Sequence, residues 1–371
     1  MIIFSITILL FVSYSILIFY YRQSWRSIPD FISTRVPLTT ISVIIPAKDE
    51  EENIGNLLLA LQKQSYPKNL FEVIVINDHS TDRTAGVVGQ FPGVLLVELK
   101  NGQLNSYKKK AIETGIAAAT NELIVTTDAD CIPSPEWLKT IAAFKEQTNA
   151  VFIAAPVILS AEQNNFLSTF QLLDFLVLQG ITGASVYKEI HSMCNGANLA
   201  YEKKVFYEAG GFEGIDEIAS GDDMLLMHKI REKNPGKIRY LKSKEAIVST
   251  RPMRTWKDFF NQRIRWASKA TYYKDKRIFW VLLLVYLFNL SFLLLLIAGF
   301  WHYQYWIYLI GLWIAKTIVE FPFVAGVASF FSKRSLLKYF FFFQPFHIFY
   351  TLIAGWLGQS GKYEWKGRKV R

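Results

Sequence analysis

Three stretches of the chain, 1–21, 278–315 and 339–361, carry no Asp, Glu, Lys or Arg. In helical form each is long enough to cross a hydrocarbon core of about 30 Å, which takes roughly 20 residues. Only His302 and His347 could titrate within them. Between the first two, the pattern changes to that of an α/β domain. Apolar runs at 41–45, 71–76, 94–99, 123–127 and 151–159 read as strands. Residues 53–64 place Ile54, Leu57, Leu58 and Leu61 at helical spacing, and 107–119 reads as a second helix. Short strands alternating with helices predict a parallel α/β sheet with right-handed crossovers, whose ligands bind outside the carboxyl ends of the strands. Polar clusters fall at those ends: Asp49 and Glu50, then Asp78, then Asp128 and Asp130.

The second half of the domain is less regular. Residues 164–179 read as a helix with Phe166, Phe170, Leu173 and Val177 on one side. A small-residue loop at 195–198 and a short helix at 203–210 follow. A helix at 224–232 comes after Ala219-Ser-Gly-Asp-Asp223, and an amphipathic aromatic segment leads to the next apolar span. The expected organisation is an anchor (1–21), a linker (22–39), an α/β domain (40–254), an interfacial helix (255–277), a transmembrane region (278–361) and a basic tail (362–371). The first segment lacks a basic n-region and a small-residue cleavage site, so it reads as an uncleaved anchor. Arg22 and Arg26 follow it, and the positive-inside rule then puts the domain in the cytoplasm. His347 beside Pro345 suggests that the last of about three C-terminal segments is broken or re-entrant, which would keep the basic tail at the cytoplasmic face. Lys316 and Glu320, one turn apart, either pair with each other or line a polar path.

Composition agrees with a membrane protein carrying one globular domain, with 51% hydrophobic and 15% aromatic residues. The net charge of +10 could point to nucleic acid, but many of the cations flank apolar spans. These are Lys274, Lys276 and Arg277, then Lys333, Arg334 and Lys338, then Lys362, Lys366, Arg368, Lys369 and Arg371. Such clusters face anionic lipid headgroups, so membrane lipid is the expected partner and nucleic acid is not. Cys131 and Cys194 have neither zinc spacing nor a disulfide framework. There is no G-x-G-x-x-G and no Walker A loop.

Asp128 and Asp130 follow the run 123–127 directly. If the chain stays extended, both carboxylates leave one side of the backbone, and Pro133 and Pro135 stop the strand. Such a pair suits Mg²⁺ or Mn²⁺ and, through it, a diphosphate; the alternative is a solvated turn. Gly221-Asp222-Asp223 opens a helix, as a base or as a plain cap. Gln262, Arg265 and Trp266 share one helical face. The same helix also reads as interfacial, with Trp256, Phe259, Phe260 and Trp266 in the headgroup zone and Arg263 snorkelling.

In order, Pro46-Ala-Lys-Asp-Glu50, Asn77-Asp-His-Ser-Thr-Asp82, Asp128-Ala-Asp130, Gly221-Asp-Asp223 and Gln262-Arg-Ile-Arg-Trp266 resemble the membrane-bound inverting glycosyltransferases of the GT-A fold. That family includes cellulose, chitin and hyaluronan synthases and bacterial lipid glycosyltransferases. The resemblance covers 40–270 and implies a nucleotide-sugar donor, with a UDP-sugar expected. It assigns Ala47, Glu50 and Asp78 to base and ribose, and leaves Asp82 as a loop cap. Lys108 matches a donor-side lysine, although Tyr107 stands where glycine is usual and Lys108, Lys109 and Lys110 compete for the role. Asp128 and Asp130 become the metal motif, with Asp128 also on the donor. Asp223 becomes the base, with Asp222, where the family more often has Glu, as its helper. Gln262, Arg265 and Trp266 take the diphosphate and acceptor side. Gly196, Ala197 and Asn198 match an acceptor-side turn. The acceptor is then a lipid-linked acceptor or cell-envelope glycan that receives a single sugar, or a polysaccharide elongated processively with help from an oligomer or partner subunit. An inactive membrane-tethered sugar- or nucleotide-binding protein is the reading from another class.

Overall fold

The computed structural model describes residues 2–33, 36–100, 106–161, 165–190, 193–216, 218, 221–269, 275–359, 363–365 and 368–370. Lys274, Lys362, Lys366 and Arg371 of the basic clusters, and Ala219 and Ser220 before the acidic pair, lie outside these residues. The elements begin with α1 (Ile2–Ser27), β1 (Ile41–Ala47), α2 (Ile54–Gln62), β2 (Phe71–Asn77), α3 (Thr84–Val88), β3 (Val94–Glu98), α4 (Tyr107–Ala118) and β4 (Leu123–Thr126). Next come β5 (Ile132–Pro133), α5 (Trp137–Thr148), β6 (Phe152–Ala154), β7 (Val157–Leu159), α6 (Phe166–Lys188), β8 (Leu199–Glu202), α7 (Lys203–Glu208) and α8 (Met224–Lys233). The chain continues through β9 (Ile238–Tyr240), β10 (Val248–Thr250), α9 (Trp256–Ala267), α10 (Lys276–Ala298), α11 (Gln304–Phe330) and α12 (Phe340–Gly358) to a hairpin of β11 (Tyr363–Trp365) and β12 (Arg368–Val370). They divide into two compact units, one of Ile28–Ser160 with Ser192–Arg251, the other of Met1–Ser27, Ala161–His191 and Pro252–Arg371.

The first of these units is built on a seven-stranded sheet in the order β3-β2-β1-β4-β8-β6-β9. β1 lies between β2 and β4, parallel to both. Its residues and those of β4 are almost all buried, which explains why they read as unbroken apolar runs rather than alternating ones. The expectation of an all-parallel sheet needs correction, because β8 runs antiparallel to both β4 and β6. β8 (Leu-Ala-Tyr-Glu) is not an unbroken apolar run that would stand out in the pattern, and its direction is set by tertiary pairing. The run 151–159 is also two strands. It breaks at Ala155-Pro156, and β7 leaves to join β10 and β5 in a second sheet of three strands. Pro133, expected to end a strand, sits in the short edge strand β5, where no ladder donor is required. The helix α5, unread above, buries Trp137, Leu138, Ile141 and Phe144.

α4 rests closely on the sheet at Gly115. A Cβ there would lie 2.5 Å from Ile44 Cγ2 and 2.6 Å from Ile76 Cδ1. Gly115→Val is therefore expected to destabilise the unit by about 1–3 kcal/mol through overpacking. A thermal unfolding midpoint equal to that of the unsubstituted protein would contradict this close approach.

The other unit contains five helices long and apolar enough to cross a membrane: Phe4–Ser27, Phe166–Lys188, Lys276–Ala298, Gln304–Phe330 and Arg334–Gly358. The second was expected only as a helix over 164–179. Asp174 and Lys188 interrupt its apolar character, so no charge-free span is visible there. An Asn165–Ser168 capping box starts it. Gly180 lets it approach α11, since a Cβ would meet Val327 Cγ2 at 2.4 Å. Leu167, Phe170 and Leu173 of α6 join Phe259, Val324, Phe343 and Tyr350 in one apolar cluster. The outward faces of α1 and α10 are apolar too, with Leu9, Ile16, Trp280 and Leu294 exposed.

The last segment is expected to be broken or re-entrant; it is not broken, because α12 runs through Pro345 without interruption. Proline leaves the carbonyl one turn earlier without its donor, and Trp313 Nε1 supplies one to Phe341 O at 3.3 Å. Lys316 and Glu320 do pair, at 2.7 Å and fully within the protein. Tyr14 donates to the Glu320 carboxylate, and Gln344 accepts from Lys316 while donating to Glu320. Four side chains from α1, α11 and α12 thus satisfy one another.

Candidate active site

The carboxyl ends of β1, β2 and β4 are neighbours in the sheet, with Ala47 opposite Asn77 and Ile44 opposite Thr126. Strand order reverses between β1 and β4, which is where a crevice opens in such sheets. The loops after β1 and β2 are stitched together. Asp49 N–H donates to Ser80 Oγ, and Thr81 N–H donates to Asp49 Oδ1 at 2.8 Å. That second bond, together with Lys48, holds the Asp49 carboxyl below its ordinary pKa. Asp82 accepts from the backbone N–H groups of Glu51 and Thr84, so it is the loop cap expected of it. Asp78 is 3% exposed and accepts from, or pairs with, His79 Nδ1 at 3.0 Å. Its backbone N–H donates to Ala47 O. Tyr107 sets its ring edge-on to His79. Glu50 Oε2 accepts from Asn53 Nδ2, whose amide oxygen in turn accepts from Arg251.

The structure distinguishes the three lysines at the start of α4. Lys108 Nζ lies 2.6 Å from Asp128 Oδ1 and 3.3 Å from Asp222 Oδ2. Burial works against its charge, but Asp128 and Asp222 outweigh this and raise its pKa above the ordinary lysine value. Lys109 is 2% exposed and donates to the carbonyls of Ile215 and Ile218, a structural role. Lys110 is exposed and pairs with Glu113 one turn on. Positions one residue apart on a helix differ by about 100°, so only one of the three faces the strand ends.

Asp128 to Cys131 is not extended, as the two-carboxylate reading assumed. β4 ends at Thr126 and the chain turns, with Cys131 N–H donating to Asp128 O. The two carboxylates consequently have different partners. Asp128 faces Lys108, whereas Asp130 Oδ2 accepts from Thr250 Oγ1 on β10 at 3.0 Å. Burial, then Asp130 and Asp128, push the adjacent Cys131 thiol well up, leaving a neutral S–H. Asp223 caps α8. Its Oδ1 accepts from Met224 N–H at 2.7 Å and its Oδ2 from Gly196 N–H at 3.2 Å. Gly196 packs closely here, since a Cβ would lie 3.1 Å from Asp222 Oδ2 and 3.4 Å from Lys108 Nζ. Residues 195–198 form the turn expected of them, with Asn198 N–H donating to Asn195 O at 3.2 Å, and the Asn198 side chain points inward. It is buried, accepts from Trp137 Nε1 and donates to Pro156 O and Ala246 O, bracing the two sheets.

The described residues contain no group of three His, Cys, Asp or Glu that would hold a metal ion alone. Two hard carboxylate donors nevertheless fit Mg²⁺ or Mn²⁺, which commonly take one or two carboxylates and complete their shell with substrate phosphate and water.

In the other unit, Gln262, Arg265 and Trp266 stand half-buried on α9, which Thr255 caps. Arg263 does not snorkel. It is 4% exposed, with its guanidinium NH2 2.7 Å from Asp174 Oδ2 on α6. Charge inside an apolar cluster needs a buried counter-ion, and Asp174 supplies it.

Residues 42–210 match the family model described as Glycosyl transferase family 2. They form a glycosyl transferase family 2 domain, and the fold is GT-A. Over 262 residues the chain is 29% identical to the probable glycosyltransferase YdaM of Bacillus subtilis, covering 68% of this chain and 60% of that protein. It is 35% identical over 107 residues to the poly(ribitol-phosphate) beta-N-acetylglucosaminyltransferase TarS of Staphylococcus aureus, 29% of this chain and 19% of that protein. The match therefore spans less than two thirds of either relative. Among solved structures, the mannosyltransferase PcManGT from Pyrobaculum calidifontis, in complex with GDP-Man and Mn²⁺, superposes with a TM-score of 0.58 at 18% identity, covering 96% of this chain and 97% of that one. Asp222, Asp223 and α9 lie beyond the segment that the family 2 model matches.

Within the α/β unit, Lys108, Asp128, Asp222 and Asp223 come together, and Asp130 is held by Thr250 of β10. Neither Thr250 nor Arg251 is a site residue by the sequence reading, and Gly196 enters it only as part of an acceptor-side turn. Thr250 and Arg251 carried no local signal, because only the path of β10 brings Thr250 to Asp130 and Arg251 to Asn53. Gly196 sat in a small-residue loop, which was visible as composition but not as a contact.

Proposed function

We propose that the chain is a membrane-anchored inverting glycosyltransferase. It moves one sugar from a nucleoside-diphosphate sugar, a UDP-sugar, to a lipid-linked acceptor or cell-envelope glycan at the cytoplasmic membrane face. The observation that carries this reading is Lys108 held between Asp128 and Asp222 at the strand ends of a family 2 domain. A relative named for poly(ribitol-phosphate) glycosylation supports a cell-envelope acceptor. Five long apolar helices with exposed apolar faces support lipid as the surroundings.

In this reading Ala47, Glu50 and Asp78 take the base and ribose. Carboxylates at strand ends accept from ribose hydroxyls and a pyrimidine N–H. Asp128 and Asp130 would hold Mg²⁺ or Mn²⁺, which when bound supplies Lewis-acid stabilisation to the leaving diphosphate. Lys108 adds a positive charge next to the same oxygens and offsets the repulsion among the three nearest carboxylates. Asp223 is the base, taking the proton from the acceptor hydroxyl as it attacks the anomeric carbon. Its two N–H partners fix the carboxylate, and Asp222 helps through Lys108. Gln262, Arg265 and Trp266 serve the diphosphate and acceptor side, where Trp266 offers an aromatic face to a sugar or lipid. An α-linked donor then gives a β-linked product.

The test incubates purified protein and native lipid extract with Mn²⁺ and labelled UDP-glucose, UDP-GlcNAc, UDP-galactose or GDP-mannose, and separates products by size. A short, organic-soluble labelled product that disappears with EDTA and returns with Mn²⁺ is expected. A large water-soluble polymer would replace single transfer by processive synthesis. No label from any donor would leave a sugar- or nucleotide-binding protein.

A further inference from the structure

The interior of the helical unit holds an ion pair that the proposed chemistry does not use. Asp174, in the middle of α6, and Arg263, on α9, are both more than nine-tenths buried. All partners of Asp174 come from neighbouring helices. Tyr350 OH on α12 donates to its Oδ1 at 2.6 Å, His347 Nε2 stands 3.9 Å from the same oxygen, and Arg263 NH2 binds Oδ2 at 2.7 Å. A pair of this kind is a poor device for stability alone, because apolar side chains of similar volume pack as well or better without the desolvation cost.

The other end of the guanidinium suggests its purpose. NH1 donates to Gln262 Oε1 at 3.1 Å. The guanidinium carbon lies 4.3 Å from the centroid of the Trp266 ring and 4.7 Å from that of Phe259. One planar fork therefore touches the anchoring carboxylate and two of the three α9 side chains at once. Lysine, with a compact ammonium, cannot span those contacts. A cation over an indole face and a hydrogen bond to an amide each restrict the rotamer of the side chain they hold.

We propose that Asp174 and Arg263 are positioning residues, a buried pair that fixes the guanidinium where it orients Gln262 and Trp266 for the acceptor. This deepens, and rests on, the reading of Gln262 and Trp266 as acceptor-side residues. Asp174 sets the position of Arg263, Tyr350 sets Asp174, and the order passes to the substrate-facing side chains without either charge touching substrate.

The decisive variant is the double substitution Asp174→Leu/Arg263→Met, which removes both charges together and strands neither. It is assayed beside Arg263→Lys, Gln262→Ala and Trp266→Ala for unfolding temperature, UDP affinity and kcat/KM for the acceptor. The expected result is an unfolding temperature and UDP affinity close to those of the unsubstituted protein, with kcat/KM for the acceptor at least tenfold lower in both the double variant and Arg263→Lys. Transfer within twofold of the unsubstituted protein in either of those two overturns the proposal. Should the double variant fail to fold, Arg263→Lys decides alone. Parallel losses of UDP affinity and transfer would mean a general structural role and also overturn it. If Gln262→Ala and Trp266→Ala leave transfer intact, the acceptor-side reading itself has failed, an outcome distinct from failure of the buried pair.

Discussion

Replacing Asp223 by Asn is expected to lower transfer by ~10²–10⁴-fold, the range typical of a lost general base, while nucleotide-sugar affinity changes little. The substitution keeps the shape of the side chain and removes only its ability to take a proton. Oδ1 can still accept from Met224 N–H, so the α8 cap survives. The contact from Gly196 N–H to Oδ2 is lost if the amide nitrogen turns that way, which affects the loop but not the donor end of the site. Asp222→Asn is expected to do less, because its part is to hold Lys108 at 3.3 Å and Asp128 remains on that lysine at 2.6 Å. The measurement is kcat against donor Kd for both variants. A deep loss in Asp222→Asn with near-normal turnover in Asp223→Asn would exchange the two roles.

Lys316→Met carries the largest expected loss of stability, about 3–5 kcal/mol, because it leaves the Glu320 carboxylate buried without its cation. Lys316 is 1% exposed, and its ammonium has Glu320 and Gln344 as partners. Gln344 and Tyr14 can still donate to the carboxylate, but neither neutralises it. Adding Glu320→Leu to the first change is expected to recover most of the loss, since nothing charged is then left in an apolar interior. Unfolding midpoints in detergent compare the two. A single variant as stable as the unsubstituted protein would mean that the cation contributes no stability, and a double variant no better than the single would place the cost in packing rather than charge.

Local periodicity carried a large part of this protein. The first four strands, α2, α4 and the charge-free spans were visible because burial imposes a pattern on residues adjacent in the chain. Asp78 and Asp128 could be placed at strand ends for the same reason, since each comes within one residue of an apolar run. The ordered motifs then pointed to the family that residues 42–210 match.

What only the tertiary structure decided is partnership between residues distant in sequence. β8 is not an unbroken apolar run that would announce it, and pairing with β4 and β6 makes the sheet mixed. Three consecutive lysines look alike in a string, and the packing of α4 on the sheet turns one to Asp128 and another into the interior. Asp174 reads as an interruption of an apolar helix until Arg263 and Tyr350 close on it from α9 and α12. The sequence by itself determined which segments bury a face and which strands end beside carboxylates, because those are properties of neighbours along the chain. Which charge meets which was left to the fold, because an ion pair is set by distance in space and leaves no period in the sequence.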